Sequence, residues 1–591
     1  MSGRAYLCAA GLFLLVLALF SPALGNGFVD MDDGLYITSN PHVLGGLTLR
    51  SLAWAFTTHR TGNWAPLTWA SHMLDVSLFG VQPWGHHLTS LLLHAGTAAL
   101  ALLALTLATG ELGRSFAVTL LFAIHPLRVE SVAWAAERKD VLCIFFCAAT
   151  LLQYVHYRRR ATAPRYGVLL ALFACALMAK AMAVTLPCVL LLLDFWPLGV
   201  GKGWRERVRE KLPLFALAAA ASVATTLFQR AEGAMQSLAQ VSLLTRAQTV
   251  PQAYFKLLSR TLWPTGLYFP YLRTAEPGWL ELLEALLLCG ALLFTFLYRR
   301  RWPSLFVGAA WFFGMLVPTV SLIQVGPQLT ADRFTYLPHL GLFTGVAFAL
   351  PPLAQRFWRL AWLVFGAVCG VLASVTLEQL TLWRDSEAFF THGLAVDPGN
   401  EWLQVSLGIV RLRQGRPEQA RALFEQALEK RSVDGFVWSC LAAAELDLHR
   451  PDRALAASQK GVELAPADGE IRLALGRSLM ALHQREAGVV QLREARRLAP
   501  DSVPITEALV SALGVAGRPQ EALVEADQGL TLAPDDPALW FNRGVALGNL
   551  GRLEEAQESL ERALALNPSD STARALLERI RRDARAKSSG Q

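Results

Sequence analysis

Residues 86–108 read HHLTSLLLHAGTAALALLALTLA, 23 residues without one Asp, Glu, Lys or Arg. A helix of about 20 such residues, rising 1.5 Å each, spans the hydrocarbon core of a bilayer. Similar apolar runs lie at 5–25, 139–157, 165–179, 212–228, 279–298, 302–322, 337–353 and 359–380, with shorter ones at 115–125 and 182–197. The expectation is an all-α chain whose first part is a polytopic membrane helix bundle of about 11 transmembrane helices. The first run, with Arg4 before it and Ser21-Pro22-Ala23-Leu24-Gly25 after it, is built like a signal peptide. It reads here as a retained anchor helix.

Composition agrees. The chain has 591 residues, 53% hydrophobic and 17% charged, with a mean hydropathy of +0.35. Residues 1–384 carry 29 Lys+Arg against 17 Asp+Glu, and residues 385–591 carry 25 against 30. A basic, apolar two-thirds thus precedes a charged, slightly acidic third, giving domains 1–384 and 385–591. This excludes a single soluble enzyme, a disordered chain and a nucleic-acid-binding protein whose basic patch explains its charge. Seven of the eight cysteines lie in apolar stretches, in no metal or disulfide pattern.

Positive charge marks cytoplasmic loops. Arg158-Arg159-Arg160 with Arg165, the stretch Lys202 to Lys211, Arg299-Arg300-Arg301, and Arg356 with Arg359 fall at alternate gaps. With 11 crossings they share one side with Arg4. The long first loop (26–85), the stretch His125 to Asp140, the pair Asp332 and Arg333, and everything after Leu380 fall on the other. Arg outnumbers Lys 46 to 8, which points to a GC-rich genome. The expected home is a bacterial inner membrane with a periplasmic C-terminal domain, or an endoplasmic reticulum membrane with a luminal one.

Prolines 398, 466, 500, 534 and 568 are spaced 68, 34, 34 and 34 residues apart, with Ser432 in the missing place. A 34-residue period is that of the tetratricopeptide repeat. Ala420, Ala454, Gly488, Ala522 and Ala556 recur where the two helices of a unit cross, and Gly415, His449, His483, Gly517 and Gly551 recur at the turn. The segment is an α-solenoid of five units from 398, a half-unit over 385–397 and a capping helix at 571–587. Its groove suits a protein or peptide partner; a spacer or assembly platform fits the same packing positions equally well.

Four features carry charge to the outer side. Asp30, Asp32 and Asp33 follow the first crossing; they either end the helix and solvate the loop, which spacing alone favours, or supply a general base. Segments 48–58 and 66–79 of the first loop have helical apolar spacing, with Trp54, Trp64, Trp69 and Trp84 nearby, and suit the membrane surface. His59, His72, His86 and His87 share no ligand spacing, His87 with His94 excepted, so no metal site is expected. In the stretch from His125 through Arg128 and Glu130 to Glu137-Arg138-Lys139-Asp140, Arg138 and Lys139 either clamp a phosphate or are neutralised as Glu137 with Lys139 and Arg138 with Asp140. Asp332 with Arg333 forms the fourth feature, and Lys180 is a further phosphate candidate.

The runs Phe28-Val29-Asp30-Met31-Asp32-Asp33, Asn63-Trp64-Ala65-Pro66-Leu67-Thr68-Trp69, His125-Pro126-Leu127-Arg128-Val129-Glu130-Ser131-Val132-Ala133-Trp134, Glu137-Arg138-Lys139-Asp140-Val141-Leu142 and Asp332-Arg333-Phe334-Thr335-Tyr336-Leu337 resemble the transmembrane, tetratricopeptide-repeat O-mannosyltransferases and their bacterial relatives, within the GT-C glycosyltransferases. The resemblance covers nearly the whole chain, and the His-Pro-Leu to Lys-Asp stretch is its specific part. It implies a GT-C-like membrane domain and a polyprenyl-phosphate sugar as donor substrate, mannose by family. The acceptor it implies is a hydroxyl, of protein Ser or Thr, on the outer face, with inversion at the sugar carbon. Asp32 matches the family's base and Asp33 stands where relatives carry Glu, leaving both as catalytic candidates. Arg138, Lys139, Arg333 and Arg128 are implied at the lipid phosphate, with His125, Glu137, Asp140 and Asp332 supporting. No cofactor is implied, and a divalent metal stays open. Two other readings fit the residues: a non-catalytic membrane scaffold displaying its repeats, and a transporter, which the outward position of the charges disfavours.

Overall fold

The computed structural model describes residues 2–201, 203–231, 243–272, 279–320, 328–351, 357–430 and 434–589; Lys202, Arg356 and Ser432 lie outside them. The chain divides into two compact units, Met1–Pro398 and Gly399–Gln591. Helix Ser386–Val396, which sequence assigned to the repeats as a half-unit, belongs to the first unit. The physical reason is local bonding: Asp30 N–H donates to Ser386 Oγ at 2.8 Å, Tyr268 hydroxyl donates to Asp397 at 2.9 Å, and His392 Nε2 donates to the Leu267 carbonyl at 3.2 Å.

Both units are built of helices. Among the described residues of the first unit, Gly3–Gly25, Pro83–Thr109, Ala135–Arg159, Trp204–Arg230 and Trp358–Leu382 are long and apolar enough to cross a membrane. Leu112–Ile124 and Pro126–Ala133 meet those criteria as a pair bent by 59°. Shorter apolar helices occupy Ala163–Ala179, Ala181–Phe195, Leu282–Leu297, Pro303–Leu316 and Pro338–Ala349, so every expected crossing is a helix, although five fall short of the usual spanning length. Their outer faces are apolar: Leu283, Leu287 and Phe294 on one helix, and Leu360, Leu363 and Val371 on another, are exposed, as lipid-facing residues must be. Close crossings use small residues. A Cβ on Gly308 would lie 2.5 Å from the Gly345 Cα, so helices Pro303–Leu316 and Pro338–Ala349 meet backbone to backbone.

The first loop is ordered by its own sequence. Asn40 caps Pro41–Leu44, and Thr48 with Ser51 forms a reciprocal cap on Leu49–Thr57. Pro66–Phe79 buries Thr68, Trp69, His72, Met73 and Asp75. Leu49, Phe56, Leu74 and Leu78 stay exposed on these two short helices, an apolar rim consistent with the expected surface position. The stretch from 125 to 140 differs from expectation. It is no charged loop at a water edge: it forms short helical turns at Pro126–Arg128, Val129–Ala133 and Ala135–Glu137 that run into helix Arg138–Arg159. Every residue from Phe122 to Ile144 is buried.

The second unit is the expected repeat stack, from Glu401–Arg413 paired with Pro417–Glu429 to Pro537–Asn549 paired with Leu553–Leu566, then helix Ser571–Ser589. Asn400, Asp434, Asp468 and Asp536 cap the first helices of their units. All five turn positions carry positive φ, at Gly415, His449, His483, Gly517 and Gly551.

Candidate functional site

The site begins where the first helix ends. Asp33 is 1% exposed; its Oδ2 accepts the Val29 N–H and its Oδ1 accepts the Ala136 N–H, each at 2.8 Å. Burial pushes its pKa up to about 7, against the pull of those two N–H groups, with neighbouring Asp32 adding to the rise. Asp32, one residue earlier, points the other way. Its side chain is 43% exposed and its carboxylate lies 3.6 Å from Lys139 Nζ.

Asp32 lines a cavity of about 380 Å³ together with Glu137, Lys139, Lys180 and Arg333. Glu137 organises the three cations: its Oε1 lies 3.1 Å from Lys139 and 3.3 Å from Arg333, and its Oε2 lies 3.4 Å from Lys180. Behind the lining, Asp140 accepts from Lys180, and Glu130 holds Arg333 through both the guanidinium and the backbone N–H. The guanidinium of Arg333 lies 4.5 Å from the Phe269 ring centre, and the Lys139 ammonium 4.4 Å from that of Tyr36, contacts favourable to a cation. The lining itself carries three cations and two acids, and Asp140 and Glu130 hold Lys180 and Arg333 from behind. Such a surface receives an anion by exchange of ion-pair partners and keeps one exposed carboxylate beside it. The same cavity is lined by Asn63, Met182, Val184 and Thr319, and by Ser222, Thr225, Thr226 and Gln229 of helix Trp204–Ala231.

The other sequence candidates go elsewhere. Arg138 is fully buried, donates to Ser90 and Ser71 at 2.8 Å and to the His86 carbonyl, and forms an ion pair with Asp75 at 2.9 Å. It is a clamp among helices Pro66–Phe79, Pro83–Thr109 and Arg138–Arg159, not a cavity group. Of the two self-neutralising pairs that spacing allows, Glu137 with Lys139 forms, whereas Arg138 takes Asp75 and Asp140 takes Lys180. Arg128 lies away from the cavity too. It donates to Thr335 at 2.6 Å and to His339 Nδ1 at 3.0 Å, and stacks 4.8 Å over Tyr336. His125 accepts the Leu127 N–H and donates to the Thr261 carbonyl, bracing the bend. Asp332 accepts from the Tyr271 hydroxyl at 2.9 Å.

Among the described residues His72, Asp75 and His86 form the group with metal-ligand spacing. The two Nδ1 atoms are 3.2 Å apart, and His86 Nδ1 is 3.3 Å from Asp75 Oδ2. Arg138 lies 2.9 Å from that same oxygen. His87 and His94 have separate partners, the Gly27 carbonyl for the first and the Tyr336 hydroxyl for the second. Lys180, the further phosphate candidate, lies in the cavity, and the 222–229 group joins it from outside the sequence expectations. The signal for the latter is present: polar residues at i, i+3, i+4 and i+7 within an apolar run form one helical stripe.

These features define a polytopic membrane protein with an internal ionic cavity, followed by a tetratricopeptide-repeat domain. Tetratricopeptide repeat models match residues 405–469 and 515–581. The chain is similar to protein O-mannosyl-transferases: 33% identical over 187 residues to Tmtc1 of Drosophila melanogaster, covering 30% of this chain and 21% of that protein. It is 23% identical over 461 residues to Tmtc3 of Drosophila melanogaster, covering 63% and 49%, and 24% identical over 416 residues to TMTC4 of Homo sapiens, covering 60% and 56%. The matched part spans about a fifth of the first relative and about half of the other two. Among solved structures, a thermophilic tetratricopeptide-repeat protein of Thermus thermophilus is 24% identical with a TM-score of 0.29, covering 31% of this chain and 98% of that one.

Proposed function

We propose that the cavity is the sugar-transfer site of an integral membrane glycosyltransferase that moves a hexose, mannose by its relatives, from a polyprenyl phosphate to a hydroxyl of protein Ser or Thr. The observation that carries this reading is one exposed carboxylate, Asp32, sharing a cavity with Lys139, Lys180 and Arg333. The cations hold the phosphate of the lipid donor. Asp32 takes the proton of the acceptor hydroxyl, whose oxygen bonds to the anomeric carbon from the side opposite the phosphate. The sugar carbon–oxygen bond to the phosphate breaks, the lipid phosphate departs with the electron pair, and the anomeric configuration inverts. The donor is a substrate, and Asp33 takes no part in the proton transfer, since both its oxygens are occupied by backbone N–H groups.

Helix polarity supports an active side away from the cytoplasm. Lys139 opens the helix whose last turn carries Arg158 and Arg159, and 22 residues at 1.5 Å each separate the two ends by about 30 Å. The cavity therefore lies at the end remote from those arginines, where nucleotide sugars are absent and a lipid carrier must deliver the sugar. The repeats then recruit the acceptor chain, raising its local concentration.

The test is Asp32→Asn, assayed with synthetic mannosyl polyprenyl phosphate and a Ser/Thr peptide. Transfer falls by about 10²- to 10⁴-fold while donor binding persists. Wild-type transfer by the variant overturns the reading. So does full biological activity from a transfer-dead chain, which is what a scaffold predicts.

A further inference from the structure

Helix Trp204–Ala231 has two unlike faces near its end. Val223 and Leu227 are 60% and 59% exposed, apolar and suited to lipid. Ser222, Thr225, Thr226 and Gln229, at helical spacing on another face, all line the cavity. A polar stripe on a membrane helix is costly against lipid and persists where it meets a partner or a polar cavity. The hydroxyls of Ser222 and Thr226 donate back along the helix, to the carbonyls of Ala218 and Ser222 at 2.9 and 2.8 Å, which leaves their oxygens able to accept. The amide of Gln229 supplies both donor and acceptor.

This stripe is neutral and continuous along one helix, whereas Asp32, Glu137, Lys139, Lys180 and Arg333 are charged and the remaining neutral polar lining, Asn63, Thr319 and Gln328, is scattered over other segments. A lipid-linked sugar has three chemistries: an apolar tail, an ionised phosphate and a ring of uncharged hydroxyls. The cations answer the phosphate, and the tail needs no hydrogen bonds. Only the hydroxyls require uncharged donors and acceptors inside a membrane protein.

We propose that Ser222, Thr225, Thr226 and Gln229 form the wall that binds the hydroxyls of the transferred hexose, and so decide which sugar the site accepts. This rests on the sugar-transfer reading. The wall is a specificity determinant and not part of the proton transfer. A site built to hydrogen-bond hydroxyls rejects a ligand that leaves its polar groups unpaired.

The test measures binding of two probes to the full-length protein: a mannosyl polyprenyl monophosphate and the same lipid phosphate without sugar. Thr225→Val and Gln229→Leu are close in volume and more apolar, changes a membrane helix accepts. Each weakens binding of the mannosylated lipid by roughly fivefold, the value of one net hydrogen bond, and the pair does so more strongly. Binding of the bare lipid phosphate stays at the wild-type level. Val223→Thr, on the lipid side, changes neither. If the double variant does not fold, the single variants carry the same comparison. Equal loss for both lipids, no loss for either, or an equal effect from Val223→Thr overturns the inference and leaves the sugar-transfer reading standing. A wild-type protein that binds neither lipid overturns that reading, and the inference falls with it.

Discussion

The carboxylate of Asp33 accepts the backbone N–H of Ala136 at 2.8 Å, across 103 residues of chain. It joins the loop that presents Asp32 to the turn that presents Glu137 and Lys139. The proposed base and the phosphate-binding cations are thereby held in one frame by a residue that faces neither the cavity nor water.

That frame titrates. With a pKa of about 7 in the folded chain against 3.8 for an ordinary Asp, the folded state binds the proton more tightly than the unfolded state. Asp33 thus costs nothing below about pH 4, and stability falls as pH rises through about 4 to 7, by about 4 kcal/mol. Asp33→Asn removes this slope while losing one backbone hydrogen bond, about 1 kcal/mol. Thermal unfolding in detergent from about pH 4 to 8 reads both; an unchanged slope in the variant assigns the titration elsewhere.

Neighbours in sequence should behave differently. Lys139→Met raises the donor KM about tenfold or more, because a charge-assisted contact to phosphate is lost. Arg138→Met strands the buried Asp75 carboxylate and destabilises the fold by about 3 to 5 kcal/mol, with donor KM unchanged in the protein that does fold. Steady-state kinetics and melting of the two variants separate these outcomes. A raised KM in Arg138→Met places that side chain at the donor after all.

In the repeats, His449 and His483 hold φ of 57° and 60° at positions where the other three units carry glycine. A left-handed conformation costs a non-glycine residue about 1 kcal/mol or more. His449→Gly therefore stabilises the second unit by about 0.5 to 1 kcal/mol, and Gly517→Val destabilises the fourth by more than that. Chemical denaturation monitored by helicity checks the pair, and a loss of stability in His449→Gly means the imidazole makes a contact worth more than the strain.

Much of this architecture is legible in sequence because its signals are periodic and local. Apolar runs mark the helices of the bundle, and a 34-residue period marks each repeat, down to the turn residue whose φ turns out positive. The charged stretch from Glu137 to Asp140 is legible as a feature but not as a geometry. Successive residues on a helix diverge by about 100°, so Arg138 and Lys139 leave the backbone in different directions, one to Asp75 and the other to Glu137. Which direction holds the cavity depends on Lys180 and Arg333, which arrive from 41 and 194 residues beyond Lys139 and leave no trace in the local pattern. That the stretch 125–140 is buried rather than an open charged loop has the same cause. Its charges find partners in Lys180 and Arg333, and once paired they can be buried.

Glu137 meets all three cavity cations with two oxygens. A naked triple positive charge would collect any small anion that diffused by, chloride and inorganic phosphate included. With Glu137 in its midst the site already contains an anion of its own, fixed by the chain. A visiting ion must outcompete that resident and gains little by doing so. A ligand that brings further contacts, beyond its charge, can complete the exchange. The carboxylate thus acts as a doorkeeper: it makes charge alone insufficient for entry.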